Sequence, residues 1–203
     1  MSLDNEISFL LRNIREFHKR EKRKVHKYFQ RGMSARKIEK TLEGFDLPFP
    51  DDFKAMYHVF NGVDSGDNIS DWECTIILQF SWERLPFACE LNRIMVERNS
   101  QKTFDEKGFF TILFGADIHY LSLDFGLVEG GEVPLSITQM LSEEKFIMFD
   151  NCLSMLRTIN AAQDRGIFVF NEEKKIIYNK ATFVKVVEEF NDRADYWDQF
   201  KLQ

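Results

Sequence analysis

Between residues 109 and 137 the chain alternates short β-branched and aromatic runs with glycine-bearing turns, and this pattern limits the fold more than any other. Residues 109–114 read as a strand stopping at Gly115, and residues 119–125 as a second. The turn from Gly126 to Gly131 leads to a third at 132–137. Connections this short join antiparallel neighbours, because a parallel pair needs a crossover of about a dozen residues or more. The middle of the chain is therefore expected to be an antiparallel meander.

The sequence on either side has helical periodicity. Ile7, Leu10, Leu11, Ile14 and Phe17 form a stripe that Val25, Tyr28 and Phe29 resume, which predicts an amphipathic helix over 5–31 stopped by Gly32. Its basic face carries Lys19, Arg20, Lys22, Arg23, Lys24 and Lys27. Ser34 is placed to cap a short helix running to Glu43. A further helix opens at Pro50-Asp51-Asp52, presents Phe53, Met56, Tyr57 and Phe60 on one side, and closes at Asn61-Gly62. Residues 63–71 read as an acidic loop, 72–80 as a strand and 86–98 as a helix. Asn151 or Asp150 is expected to cap a helix over 152–164. A hairpin, 167–170 with 175–178, then precedes a last helix over 181–193. The whole is α+β, an antiparallel sheet flanked by helices.

Charge is segregated along the chain. The balance is +7 over residues 1–40 and −13 over residues 41–203, giving −6 in total. The acidic sum argues against a general nucleic-acid binder, and the basic helical face reads as a solvated surface. Three separated cysteines, Cys74, Cys89 and Cys152, include no CxxC, so neither a disulfide framework nor a structural zinc site is expected. No run approaches the roughly 18 apolar residues of a membrane span. The start Met1–Glu6 is acidic where a secretory signal is basic. The expectation is a cytoplasmic protein without cofactor or metal.

Catalytic motifs are missing as well. His18, His26, His58 and His119 lack the i, i+4 spacing of a zincin helix. Asp64, Asp67 and Asp71 lack EF-hand order, and no GxGxxG, GK[ST] or GxSxG occurs. A strand's period of two puts His119 and Asp124 on opposite faces, which disfavours a general base at His119. Asp124 is expected to hold a turn through backbone donors, while Phe53, Tyr57, Phe60 and Leu123 are assigned to the core.

Four signals occur in a fixed order. They are Leu47-Pro48 opening a helix that ends at Asn61-Gly62, then Phe114-Gly115-Ala116-Asp117 before a strand ending in Leu123-Asp124. A short strand after a glycine turn follows, and last comes the amphipathic helix around Leu153 to Ile159. Over residues 33–166 this order resembles the SUKH superfamily, which includes fungal cell-wall synthesis regulators and many bacterial immunity proteins. The resemblance divides the chain into an N-terminal helix (1–32), a SUKH-like domain (33–166) and a C-terminal hairpin and helix (167–203).

It implies a non-enzymatic protein-binding module, in bacteria one that neutralises a polymorphic toxin of nuclease or deaminase type. The alternatives are a regulatory interaction protein related to the cell-wall regulators, and a nucleic-acid binder using residues 5–31. Aromatic residues supply most interface energy and acidic ones suit a basic partner. The partner-binding candidates are accordingly Trp72 with Asp64, Asp67 and Asp71, followed by Trp82 with Glu83.

Overall fold

A computed structural model describes residues 1–64, 66, 71–98, 108–115, 119–139 and 145–201. The expected meander is present. β3 (Phe80–Trp82), β4 (Phe109–Gly115), β5 (His119–Asp124), β6 (Leu135–Gln139) and β7 (Lys145–Phe149) form one antiparallel sheet in sequence order. The third strand begins at Leu135, after the expected position, and β7 extends the meander beyond the sequence-based reading. Ala116 and Asp117 lie outside the described residues.

Register decides what each face of the sheet carries. Phe110 opposes Leu123, Leu123 opposes Leu135, and Leu121 opposes Ile137, so one face is apolar and buried. Helix α3 (Asp51–Val59) covers it through Phe53, whose ring meets Phe110 edge-on at 5.9 Å. α1 (Leu3–Arg20) packs on α3 and on α6 (Cys152–Asp164). Residues from all these elements belong to one continuous hydrophobic core. Phe53, Tyr57 and Leu123 lie within it, and Phe60 packs half-buried at its edge.

The other face is polar yet equally buried at Thr111, Ser122, Asp124 and Ser136. Its groups are paired, as burial requires. The Thr111 and Ser122 hydroxyls share a hydrogen bond at 2.8 Å. Asp124 accepts from Ser136 Oγ at 3.0 Å, Lys145 Nζ at 2.9 Å and the Gly126 amide at 3.1 Å, so it holds the turn as expected.

Helix termini follow local chemistry. Ser34 caps α2 (Ala35–Leu42), and Asn151 caps α6 in a reciprocal capping box with Ser154. Asp52 adds a long-range cap by accepting from the Leu153 amide at 3.0 Å. The C-terminal hairpin, β8 (Val169–Phe170) with β9 (Ile176–Ile177), is a separate two-stranded sheet. α7 (Lys180–Val187) ends before the expected 193, and a 3-10 turn at Asp195–Phe200 follows it. The Asp150 carboxylate accepts from the amides of Asp192 and Arg193, which draws the chain off the helix axis. The same segment docks on β7, where the buried Trp197 indole donates to the Met148 carbonyl at 2.8 Å.

The expected single helix over 5–31 is corrected. α1 ends at Arg20, Lys22 takes a left-handed φ of 56°, and residues 24–27 form a 3-10 turn before β1 (Phe29–Arg31). The stop is a Schellman arrangement, with the Arg23 amide donating to the His18 carbonyl and the Lys22 amide to that of Lys19. Lysine stands where glycine usually marks such a stop, so the apolar stripe reads as continuous although the chain has turned back. β1 then pairs with β2 (Phe60–Val63). Asn61 and Gly62 are therefore strand residues and do not end α3.

The turn sends Arg23 inward, and the guanidinium placed on the basic surface by its sequence position is fully buried. It donates to His18 Nδ1 at 3.1 Å and to the Thr75 carbonyl at 2.6 Å, and it lies 4.9 Å over the Phe170 ring. Since Arg23 only donates, His18 Nδ1 accepts, and Nε2 carries the proton given to the Ile76 carbonyl at 3.1 Å. Burial, reinforced by the Arg23 charge, pushes the His18 imidazole down to about 3. The unfolded chain binds this proton near 6.5 and the fold resists it, so the contribution is full above 6.5 and is lost as pH falls from there toward 3. At about 1.4 kcal/mol per pH unit, urea midpoints should fall across this window, and His18→Gln should flatten the fall relative to the native chain.

Candidate partner-binding cleft

The cleft that gathers several of the sequence candidates is positioned by α3 and β2. Tyr57 donates its hydroxyl proton to the Glu83 carbonyl at 3.1 Å. Four residues on, Asn61 Oδ1 accepts from the Leu85 amide at 2.9 Å and so satisfies a free donor at the start of α5 (Leu85–Arg98). Gly62, at φ +70°, lies so close that a Cβ there would sit 2.5 Å from the Glu83 carbonyl group. Three residues of one short stretch thus fix the backbone of residues 83–85.

The result is a cleft of about 190 Å³ lined by Asp64, Cys74, Trp82, Glu83, Arg84 and Phe87, among others. Ligand pockets for drug-sized molecules run to roughly 300–1,000 Å³, so this one has room for a single long side chain. Asp64 pairs with Arg84 at 2.9 Å, and both are well exposed, which limits the pair to under about 1 kcal/mol. Burial raises the Glu83 carboxyl above its ordinary range; Arg84 opposes the shift and Asp64 adds to it. Phe87 is 41% exposed, an aromatic lip on an acidic cleft.

The sequence candidates separate as follows. Asp64 and Glu83 line the same cleft. Trp82, a sequence candidate for partner contact, is corrected: it is fully buried, its ring 5.3 Å from Tyr57, and forms part of the wall behind the cleft. Asp71 and Trp72 belong to α4 (Asp71–Cys74), and Asp67 lies outside the described residues. Arg84 and Phe87 were missed, because an Arg beside a Glu and a Phe early in a helix look ordinary in sequence.

The expected strand over 72–80 is also corrected. Residues Asp71–Cys74 are helical, Leu78 turns at φ 54°, and the strand proper is Phe80–Trp82. Thr75, Ile76, Ile77 and Leu78 are nonetheless buried. The carbonyls of Thr75 and Ile76 are taken by Arg23 and His18, so side chains do for this segment what a neighbouring strand would have done.

Histidine chemistry is directed elsewhere. His26 Nδ1 bonds the Arg23 carbonyl at 2.6 Å and His58 Nδ1 the Met33 carbonyl at 2.8 Å. Among the described residues no group of three or more His, Cys, Asp or Glu gathers as a metal site, and no helix is long and apolar enough to cross a membrane. Burial raises the Cys89 thiol to about 11 and the Cys152 thiol well above its ordinary value, which keeps both protonated and unreactive. No known family model matches the chain, and no curated protein is significantly similar to it.

The close approach at Gly62 has a measurable consequence. Gly62→Ala should cost about 2–4 kcal/mol through backbone overlap and strain. Gly130→Ala, at φ +61° with nothing within 4 Å of the new methyl, should cost only about 1–2 kcal/mol. Urea unfolding of the two variants side by side gives the comparison.

Proposed function

We propose that the chain is a non-enzymatic binding protein of SUKH type whose cleft between β2 and α5 receives a basic side chain of a protein partner. The single observation that carries this reading is the juxtaposition of Asp64, the buried-side carboxyl of Glu83 and the exposed Phe87 ring. A cation entering the cleft meets the Glu83 carboxyl and the Phe87 ring, and it competes with Arg84 for Asp64. The −13 balance over residues 41–203 adds long-range attraction for a basic partner.

Within that reading the partner is a polymorphic toxin of nuclease or deaminase type, and this chain is its immunity protein. The support is the ordered sequence resemblance over residues 33–166 together with the acidic cleft. Co-expression with the toxin domain encoded beside it should restore growth and yield a one-to-one complex. Phe87→Ala and Asp64→Lys should each weaken that complex about tenfold or more, and association should slow as salt rises. A growth-neutral neighbour that forms no complex, or a complex indifferent to both substitutions, overturns the reading.

A further inference from the structure

The corrected course of residues 15–31 concentrates charge in a way that a continuous helix would not. The Schellman stop folds residues 21–27 back beside the last turns of α1, where Arg15 Nε donates to the His26 carbonyl at 3.0 Å. Lys19, Arg20, Lys22, Lys24, Lys27 and Arg31 are all exposed in this compact region. Glu16 pairs with Lys19 at 3.3 Å and Glu21 lies 3.9 Å from Arg20. Lys22, Lys24, Lys27 and Arg31 have no carboxylate partner among the described residues. Like charges held this close repel one another, and a polyanion relieves the repulsion.

Three kinds of occupant carry negative charge, and the surface distinguishes them. Membrane binding by a basic helix needs an apolar face to insert. The apolar stripe of α1 is buried in the core; the exposed Phe9 stands ten residues before Lys19 on the same helix, and between residues 10 and 40 no large hydrophobic side chain is exposed. A protein interface needs a buried aromatic or aliphatic anchor at its centre, and the same stretch offers none. Contacts to the sugar–phosphate backbone need only well-placed cations. The acidic total of the whole chain does not bear on this surface, since it averages two oppositely charged regions.

We propose that the turn at residues 19–31 is a binding surface for the phosphate backbone of nucleic acid, without sequence preference. It is independent of the cleft reading, although the two surfaces adjoin: the Asp64 amide donates to the Tyr28 carbonyl at 3.0 Å, so the acidic cleft begins where the basic turn ends.

The test is fluorescence anisotropy of the full chain with labelled DNA and RNA of about 20 nucleotides, titrated between about 50 and 200 mM salt. Binding should weaken with salt at a logarithmic slope of about −3 to −4, near 0.9 for each of the four free cations engaged. Lys24→Glu/Lys27→Glu should lose about tenfold or more in affinity and flatten the slope by about 2. The control Lys174→Glu/Lys185→Glu carries the same charge change on exposed residues elsewhere and should bind as the native chain does. Circular dichroism confirms folding of both variants. No binding at low salt, equal losses in both variants, or capture by phosphatidylserine vesicles in place of nucleic acid overturns the proposal.

Discussion

The contact between Arg23 and His18 is the constraint on which the arrangement of the other elements depends. A guanidinium removed from water costs several kcal/mol unless its donors are met, and taking away one partner of such a group typically costs about 3–5 kcal/mol. Here the donors reach His18 on α1 and Thr75 in the segment before β3, and the flat face lies on Phe170 of the C-terminal hairpin. Burial lowers the Arg23 guanidinium to about 10 while the nearby Glu73 supports its charge, so it stays a cation at neutral pH. His18 must then stay neutral, which fixes its tautomer and its bond to Ile76. One buried charge thereby ties the N-terminal helix, the centre of the chain and its C-terminal part to each other.

The two proposed surfaces follow from that tie. Because Arg23 turns inward, its neighbours Lys22, Lys24 and Lys27 turn outward on a tight loop, where a straight helix would have spread them around its circumference. Because Thr75 and Ile76 are held from the α1 side, the chain reaches Phe80 on a short turn and passes Trp82 into the core. Glu83 and Arg84 then emerge against Gly62 and Asn61. A basic turn and an acidic cleft are adjacent consequences of one packing solution.

Much of this was legible in local chemistry. The meander, the Ser34 and Asn151 caps, the hairpin at 167–178 and the turn-holding role of Asp124 depend on neighbours in sequence or on a period of two. Three readings failed, one because an unusual residue took a local stop and two because a long-range contact replaced the local partner. Lys22 takes the left-handed stop that glycine usually marks, Asn61 caps a helix that starts 24 residues later, and the carbonyls of residues 75–76 bond the side chains of Arg23 and His18. The run Thr75-Ile76-Ile77-Leu78 reads as strand in the sequence and is buried without forming one, because burial and strand pairing leave the same composition.

Hydrophobic period, turn residues and capping side chains determined the α+β class, the antiparallel order of β4 to β6 and most helix starts, since each acts over a few residues. They also determined that charge is segregated, with a basic beginning and an acidic remainder. Only the tertiary structure decided which of those charges meets water. It buried Arg23 and Trp82, brought Asp64 beside Glu83 and Phe87, and left Lys22, Lys24, Lys27 and Arg31 without a carboxylate partner among the described residues. Those outcomes depend on which surfaces pack against one another, and a linear pattern carries no distance between residues far apart in the chain.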